Sequence, residues 1–104
     1  MPEKCCVNSE LNAKYVNLAK LFRIIGDDNR LRILCLISKG EKCVSEIFPE
    51  LKIAQNLVSS HLKVMLDFGL LQVRQVGKRN YYSINKKIFL KYNKIIISFL
   101  KTYE

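Results

Sequence analysis

Apolar side chains recur every three or four residues near the start of the chain, with mainly polar side chains between them. Leu11, Tyr15, Leu18, Phe22 and Ile25 form this stripe, and Gly26 then interrupts it. A period close to 3.6 residues is typical of an amphipathic helix, and a glycine commonly ends one. The pattern therefore predicts a first helix that buries one face.

A second apolar segment follows a pair of acidic residues. Asp27 or Asp28 can cap the start of a helix that continues through Lys39 and ends before a glycine. The run LRILCLI inside this segment is apolar on nearly every side, as in a central buried helix. We therefore expect Cys35, which lies in this run, to be a small buried hydrophobic side chain without reactivity.

A short third helix is predicted after Cys43, and a fourth helix from Gln55 to Phe68. Pro49 fits the third helix only in its first turn or at a bend, so the sequence leaves the end of that helix open. The fourth helix has one apolar stripe and ends at Gly69. The stripe consists of Leu57, Val58, Leu62, Met65 and Leu66.

The remainder of the chain changes from a period of two residues to a helical period. LLQVRQVGKRNYYSI alternates on both sides of Gly77 and Lys78, which predicts a β-hairpin with a basic turn. The last helix then has an apolar face too wide for one small core to bury, and with the first helix it predicts a twofold homodimer interface. That face comprises Ile88, Phe89, Tyr92, Ile95, Ile96, Phe99, Leu100 and Tyr103.

Together these elements predict a mainly α fold with a small β-hairpin. Their order, four helices, two strands and a closing helix, is that of a winged helix-turn-helix. We find no internal repeat and no linker rich in Pro, Gly or Ser, so residues 10–104 are predicted to form one domain. Residues 1–9 are predicted to be a flexible N-terminal arm.

The charge of the chain limits the class of its partner. The 104 residues carry 18 Lys and Arg against 9 Asp and Glu, a formal charge of +9, which favours nucleic acid. No apolar run reaches the ~20 residues of a membrane span, and the N-terminal segment has no signal-peptide pattern. We therefore expect a cytoplasmic protein without membrane contact, whose 4 cysteines are reduced thiols rather than disulfides.

Four segments resemble a known family. LFRIIGDDNRLRILCLI, EKCVSEI, VSSHLKVMLDFGLL and VGKRNYYSI together are similar to the ArsR/SmtB family of metal- and thiol-responsive repressors, over residues 21–84. The chain has Asp28 where that family usually has a proline, and Lys52 and Ala54 where it has a glycine and a Ser or Thr cap. Because alanine cannot cap a helix, we expect the fourth helix to begin without a side-chain cap and to fray there in the absence of DNA.

The resemblance implies DNA binding through the fourth helix, whose N-terminus would enter the major groove first. Amide and hydroxyl side chains read base edges there, while cations contact phosphates or the minor groove. The candidates are Gln55, Asn56, Ser59 and Ser60 for base edges, Lys63 for a phosphate, and Arg74, Lys78 and Arg79 on the hairpin, or wing. His61 would contact the DNA backbone or pack against the turn, with a purely structural histidine as the alternative.

An enzyme is the less favoured class. His61 and Cys43 would be its base and nucleophile, but the sequence supplies no third orienting group and no glycine-rich oxyanion loop. We therefore predict a regulator rather than a catalyst.

The family resemblance also directs attention to the cysteines. One sensor type in the family uses Asp and His on the last helix, and residues 85–104 contain neither. Another type uses Cys-Val-Cys at the start of the third helix, where this chain has Cys43, Val44 and Ser45. A neutral hydroxyl is a poor ligand for a soft ion, so only one soft ligand remains at this position.

Cys5 and Cys6 are the candidates for the missing ligands. In some members of the family an N-terminal arm carries cysteines to the third helix of the other subunit, and the arm here could span roughly 13 Å at full extension. Three thiolates suit arsenite or antimonite, and also Pb(II) or Bi(III), whereas Cd(II) and Zn(II) prefer a fourth ligand. The resemblance thus implies an arsenic-sensing repressor with Cys5, Cys6 and Cys43 as its metal site; a redox or persulfide switch on the same thiols and an unregulated DNA-binding protein stay as alternatives.

Overall fold

The computed structural model describes residues 9–101, with side chains from residue 13 onward. In this range the chain forms five helices and one β-hairpin, as the sequence predicts. The elements are α1 (Ser9–Ile25), α2 (Asp28–Ser38), α3 (Val44–Leu51), α4 (Gln55–Phe68), β1 (Leu71–Val76), β2 (Arg79–Ile84) and α5 (Lys86–Lys101). The predicted arm with Cys5 and Cys6 lies outside the described side chains, as does Tyr103. No described helix is both long and apolar enough to cross a membrane.

Capping residues fix where several elements begin and end. The side chain of Asp27 accepts a hydrogen bond from the backbone N–H of Arg30 at 3.1 Å and so caps α2. This hydrogen bond, above other causes, holds the pKa of Asp27 below its usual value. Between the antiparallel strands the turn passes through Gly77, whose φ of 61° is disfavoured for other residues. The hairpin therefore turns at Gly77 and Lys78, as predicted.

The core lies where α2, α3 and α4 meet the base of the hairpin. Its most completely buried side chains are Ile33, Ile47, Val58, Leu62, Met65 and Leu70. Helices α1 and α5 contribute Leu18, Leu21 and Tyr92 to the same core and contact each other, with the rings of Tyr15 and Phe99 meeting edge to face at 5.9 Å. The helix-turn-helix consists of α3 and α4, and both of these helices pack against α2. Helices α1 and α5 pack against each other.

The prediction that Cys35 is buried is wrong for the single chain, where Cys35 is exposed. Only Ile33 and Ile37 of α2 are buried, and Leu31 is 50% exposed. Each helical residue turns the side chain by about 100°, so Cys35 lies on the face opposite Ile33 and Ile37. The apolar run in the sequence conceals this difference because its two faces have similar polarity.

Leu57 is the most exposed member of the predicted apolar stripe of α4. Half of its surface is exposed, while Val58, Leu62 and Met65 are buried. The buried stripe is therefore narrower than the apolar pattern, and Leu57 lies beside it on the flank opposite Gln55 and Ser59.

The turn between α3 and α4 contains Lys52 and Ala54, the two residues that depart from the family pattern there. Lys52 takes the left-handed conformation, with φ 56° and ψ 39°, where a glycine would be unstrained. Ala54 occupies the N-cap position of α4 and makes no side-chain capping hydrogen bond. Pro49 is accommodated within α3, which ends at Leu51.

We expect Ala54→Ser to stabilise the protein by about 1 kcal/mol, because a serine hydroxyl at the N-cap can accept a backbone N–H that alanine leaves without a protein partner. Urea denaturation at a fixed protein concentration measures the change. Ala54→Val is the matched control, since it changes the same exposed position to a residue that cannot cap a helix either. Equal shifts in the two variants would contradict the capping explanation.

Candidate nucleic-acid interface and cysteine site

The first two turns of α4 present a polar surface to solvent. Gln55, Asn56, Ser59 and Ser60 are all exposed. They lie on the outside of α4, whose inner side buries Val58, Leu62 and Met65 in the core. Lys63 follows on the same helix and is also exposed. These five predicted contact residues are therefore accessible to a DNA duplex.

The cations of the wing are exposed but not equivalent. Lys78 lies in the hairpin turn and Arg79 begins β2. Arg74, in β1, instead forms an ion pair with Glu41, which also accepts a hydrogen bond from Arg74 Nε at 3.2 Å. This pair lowers the pKa of Glu41 and raises that of Arg74. Part of the charge of Arg74 is thus already neutralised within the protein.

We therefore expect Lys78→Ala to weaken DNA binding more than Arg74→Ala. A lysine that contacts a phosphate contributes about 1 to the slope of log affinity against log salt. Because Glu41 already pairs with Arg74, Arg74→Ala should change this slope by less than about half of the change expected for Lys78→Ala. Fluorescence anisotropy with a labelled duplex at several salt concentrations measures both slopes, and a larger change for Arg74→Ala would refute this ranking.

His61 has a specific partner outside its own helix. The side chain is half-buried, and its Nδ1 accepts a hydrogen bond from Nε of Arg30, in α2, at 3.0 Å. Arg30 also donates from Nη1 to the backbone oxygen of Ile24, near the end of α1, at 3.2 Å. His61 therefore links α4 to the two helices behind it.

Cys43 is the N-cap residue of α3 and is only 4% exposed. Its thiol donates to Oε1 of Glu46 at 3.2 Å and lies 3.0 Å from the hydroxyl oxygen of Ser45. The same Glu46 oxygen accepts the backbone N–H of Cys43 at 3.1 Å. These contacts, the backbone one first, hold the pKa of Glu46 below its usual value. Cys43 thus has a structural role at the start of α3.

The residues before Cys43 are joined to the wing. Lys42 forms an isolated bridge with Tyr82 of β2, with hydrogen bonds of 3.0 and 2.8 Å between their backbone atoms. The ion pair of Glu41 with Arg74 reaches the other strand. The segment that leads into α3 is therefore attached to both strands of the hairpin.

A surface pocket of about 390 Å³ brings the thiol and the predicted DNA contacts together. It is open to solvent between the start of α3, the start of α4 and the wing. Its lining residues are Cys43, Val44, Ser45, Gln55, Ser59, Lys78, Arg79, Asn80 and Tyr82. Any group bound to the thiol from this side would therefore adjoin two predicted base-reading residues and two wing cations.

The described part of the chain contains no group of three or more His, Cys, Asp or Glu side chains positioned to hold a metal ion. Cys43 is the one described member of the predicted cysteine set, because Cys5 and Cys6 lie outside the described residues. Sequence reasoning did not identify Arg30 and Glu46 as partners of the site. The spacing of Cys43 and Glu46 is that of a capping box and could have indicated their contact, whereas no local signal indicates the pair of Arg30 and His61.

Comparison with known proteins agrees with the family resemblance of the sequence motifs. A family model described as "Bacterial regulatory protein, arsR family" matches residues 27–73. The chain is 39% identical over 72 residues to an uncharacterized HTH-type transcriptional regulator of Methanocaldococcus jannaschii, covering 68% of this chain and 81% of the relative. It is 32% identical over 74 residues to the arsenical resistance operon repressor of Staphylococcus aureus, covering 71% of each. Other relatives are named for cadmium and mercury resistance.

Among solved structures, the fold is similar to that of an ArsR-like transcriptional regulator from Rhodococcus sp. RHA1. The TM-score is 0.77 at 20% sequence identity, and the alignment covers 88% of this chain and 86% of that one. The similarity in fold extends beyond the segment matched by the family model and includes most of the residues outside it.

Proposed function

The chain belongs to the ArsR family of bacterial transcriptional regulators, and we propose that it is a repressor that releases its operator when a soft metal or metalloid ion binds its cysteines. The preferred inducer is arsenite or antimonite, bound by Cys5, Cys6 and Cys43. The observation that carries this proposal is the pocket that Cys43 shares with Gln55, Ser59 and the wing cations. A ligand held there is next to the surface that would contact DNA.

The proposed DNA-binding form is a homodimer through α1 and α5. Large apolar side chains remain exposed on these two helices, namely Val16, Phe22, Leu90, Ile97 and Leu100. Such a surface is unusual for a monomer of this size and is buried economically by a twofold interface. Two copies of α4 would then enter successive major grooves, about one helical turn apart.

The preference for arsenite follows from ligand chemistry. Thiolates are soft ligands, and three of them provide the trigonal arrangement that As(III) adopts. Each As–S bond that forms replaces an As–O bond of arsenous acid, and the thiol proton leaves with the hydroxyl group as water. The relative from S. aureus is named as an arsenical resistance repressor, whereas other relatives are named for cadmium and mercury. Pb(II), Bi(III) and Cd(II) are therefore the ions to compare with arsenite.

Two sets of contacts support a coupling between inducer and DNA. When Cys43 becomes a ligand it gives up the proton that it donates to Glu46, which alters the first turn of α3. The adjoining residues Glu41 and Lys42 are attached to the wing, so a shift of this segment also reorients the hairpin. By thermodynamic linkage, operator DNA must weaken inducer binding by the same factor as the inducer weakens DNA binding.

The test is a titration of the reduced protein with arsenite, Cd(II) and Zn(II). Thiolate-to-metal absorption and the release of labelled DNA are followed in the same samples, with a duplex selected from a randomised library on the wild-type protein. We expect arsenite to bind stoichiometrically and to release the DNA. Release by mild oxidant or persulfide, with none by metal, would favour a thiol switch, and no release by any of them would favour an unregulated DNA-binding protein.

A further inference from the structure

The contact of Arg30 with His61 has a consequence for DNA recognition. We propose that Arg30 is a positioning residue, which fixes the tautomer and the orientation of His61 so that Nε2–H is presented as a hydrogen-bond donor to a DNA phosphate. This inference rests on the DNA-binding part of the proposed function and is independent of the inducer.

The tautomer follows from the chemistry of the two side chains. An arginine side chain has only donors and stays protonated in proteins, so Arg30 Nε can only donate to His61. At 3.0 Å from Arg30 Nε, the Nδ1 atom of His61 must be the acceptor and carries no proton. In a neutral imidazole the one ring proton is then on Nε2. A His61 with its proton on Nδ1 would have two N–H groups facing each other.

Arg30 is itself held in place, which makes it suitable for this role. Its backbone N–H donates to Asp27, and its Nη1 donates to the carbonyl oxygen of Ile24. The guanidinium group therefore spans from the C-terminal end of α1 to the middle of α4. Because these anchors lie in α1 and at the start of α2, the orientation of the His61 ring depends on helices that lie outside the predicted DNA-contacting surface.

The other nitrogen of His61 is available. No hydrogen bond to Nε2 occurs within the described part of the chain, although the ring is half-buried. His61 directly follows Ser60, a predicted DNA contact, and lies about 100° around α4 from it, on the flank of the helix rather than on the face of Lys63. Side-chain donors supply many of the phosphate contacts in protein–DNA complexes. A preoriented Nε2–H in the second turn of α4 is the kind of donor that fixes a recognition helix on the DNA backbone.

The first test needs no substitution, because His61 is the single histidine of the chain. Long-range ¹H–¹⁵N NMR spectra of the wild-type protein at a pH where His61 is neutral distinguish the two tautomers directly. We expect a protonated Nε2 and an unprotonated Nδ1. A predominant Nδ1–H tautomer would overturn the proposal.

The second test is a double-mutant cycle on the selected duplex. We expect Arg30→Ala and His61→Ala each to weaken DNA binding about tenfold, the usual effect of one hydrogen bond to a charged group, and the double variant to lose no more than either alone. Arg32→Ala removes the same charge from an exposed position on α2 and should change the affinity less than about twofold. If the double variant lost affinity by the product of the two single losses, the positioning role of Arg30 would be contradicted. A loss of affinity in Arg32→Ala equal to that in Arg30→Ala would contradict it as well.

The two proposals fail in different ways. If the wild-type protein selects no duplex, the DNA-binding function itself fails, while the NMR result still stands for the free protein. If it binds DNA and responds to arsenite but the cycle shows no shared effect, only the role of Arg30 is refuted.

Discussion

Replacing Cys43 with serine is expected to abolish release of the operator by arsenite while leaving the fold and the DNA affinity almost unchanged. The substitution exchanges one sulfur atom for oxygen. Serine is a poor ligand for a soft ion, so the site would retain two thiolates at most. Because a direct ligand is removed, we expect the arsenite concentration needed for release to rise by more than the roughly 10- to 100-fold that loss of an outer-shell partner typically costs.

The structure explains why this change should be tolerated. Cys43 caps α3, and serine is among the residues preferred at an N-cap. With Glu46 three residues later, Cys43→Ser keeps the capping box that Cys43 and Glu46 already form, and the hydroxyl can donate to the Glu46 carboxylate that now accepts the thiol. A buried hydroxyl with a hydrogen-bond partner costs little, so we expect stability within about 1 kcal/mol of wild type.

Three measurements separate sensing from folding: urea denaturation, the affinity for the selected duplex, and release of that duplex by arsenite. Cys35→Ser is the matched control, because Cys35 is exposed in the single chain and belongs to no proposed ligand set. It should release the duplex like the wild type. An unchanged arsenite response in Cys43→Ser would refute the three-cysteine site, whereas the same loss in Cys35→Ser would point to a nonspecific effect of thiol removal.

Cys5→Ser and Cys6→Ser extend the same experiment to the arm. If both arm thiols are ligands, each variant should lose the response as Cys43→Ser does and keep the duplex affinity of the wild type. A response that survives in either variant would show that its thiol is not required.

The order of the elements was predictable because it depends on local signals. Periodicity located α1, α4 and α5, the acidic pair located the start of α2, and Gly77 marked the hairpin turn. These signals act over a few residues and are preserved in the fold. The family pattern added the position of the recognition helix, which periodicity alone does not provide.

Burial was less predictable where apolar residues surround a helix. Cys35 and Leu57 are both apolar by type, yet both are exposed in the single chain, because packing selects one stripe of each helix. Contacts between distant segments were not predictable at all. Glu41 meets Arg74, and Arg30 meets His61, across 33 and 31 residues of sequence. Such pairs depend on the tertiary arrangement, which no local pattern encodes.

Leu62→Ala is expected to destabilise the protein by about 2 to 5 kcal/mol, the cost of emptying a leucine site in a packed core. Leu62 is fully buried and belongs to the cluster that includes Ile33 and Ile47. A domain of this size commonly has about 5 to 15 kcal/mol of stability in total, so the variant should lose a large part of it. Leu57→Ala on the same helix removes the same atoms from a half-exposed site and should cost well under half as much.

The pair of leucines therefore tests the orientation of α4. Urea denaturation of both variants at one protein concentration gives the comparison, and the fixed concentration keeps any contribution from dimerisation equal. A larger loss for Leu57→Ala would mean that the helix is rotated. The side chains of Gln55, Asn56, Ser59 and Ser60 would then be turned away from the DNA as well, because a helix that buries Leu57 in place of Leu62 moves its entire polar face with it.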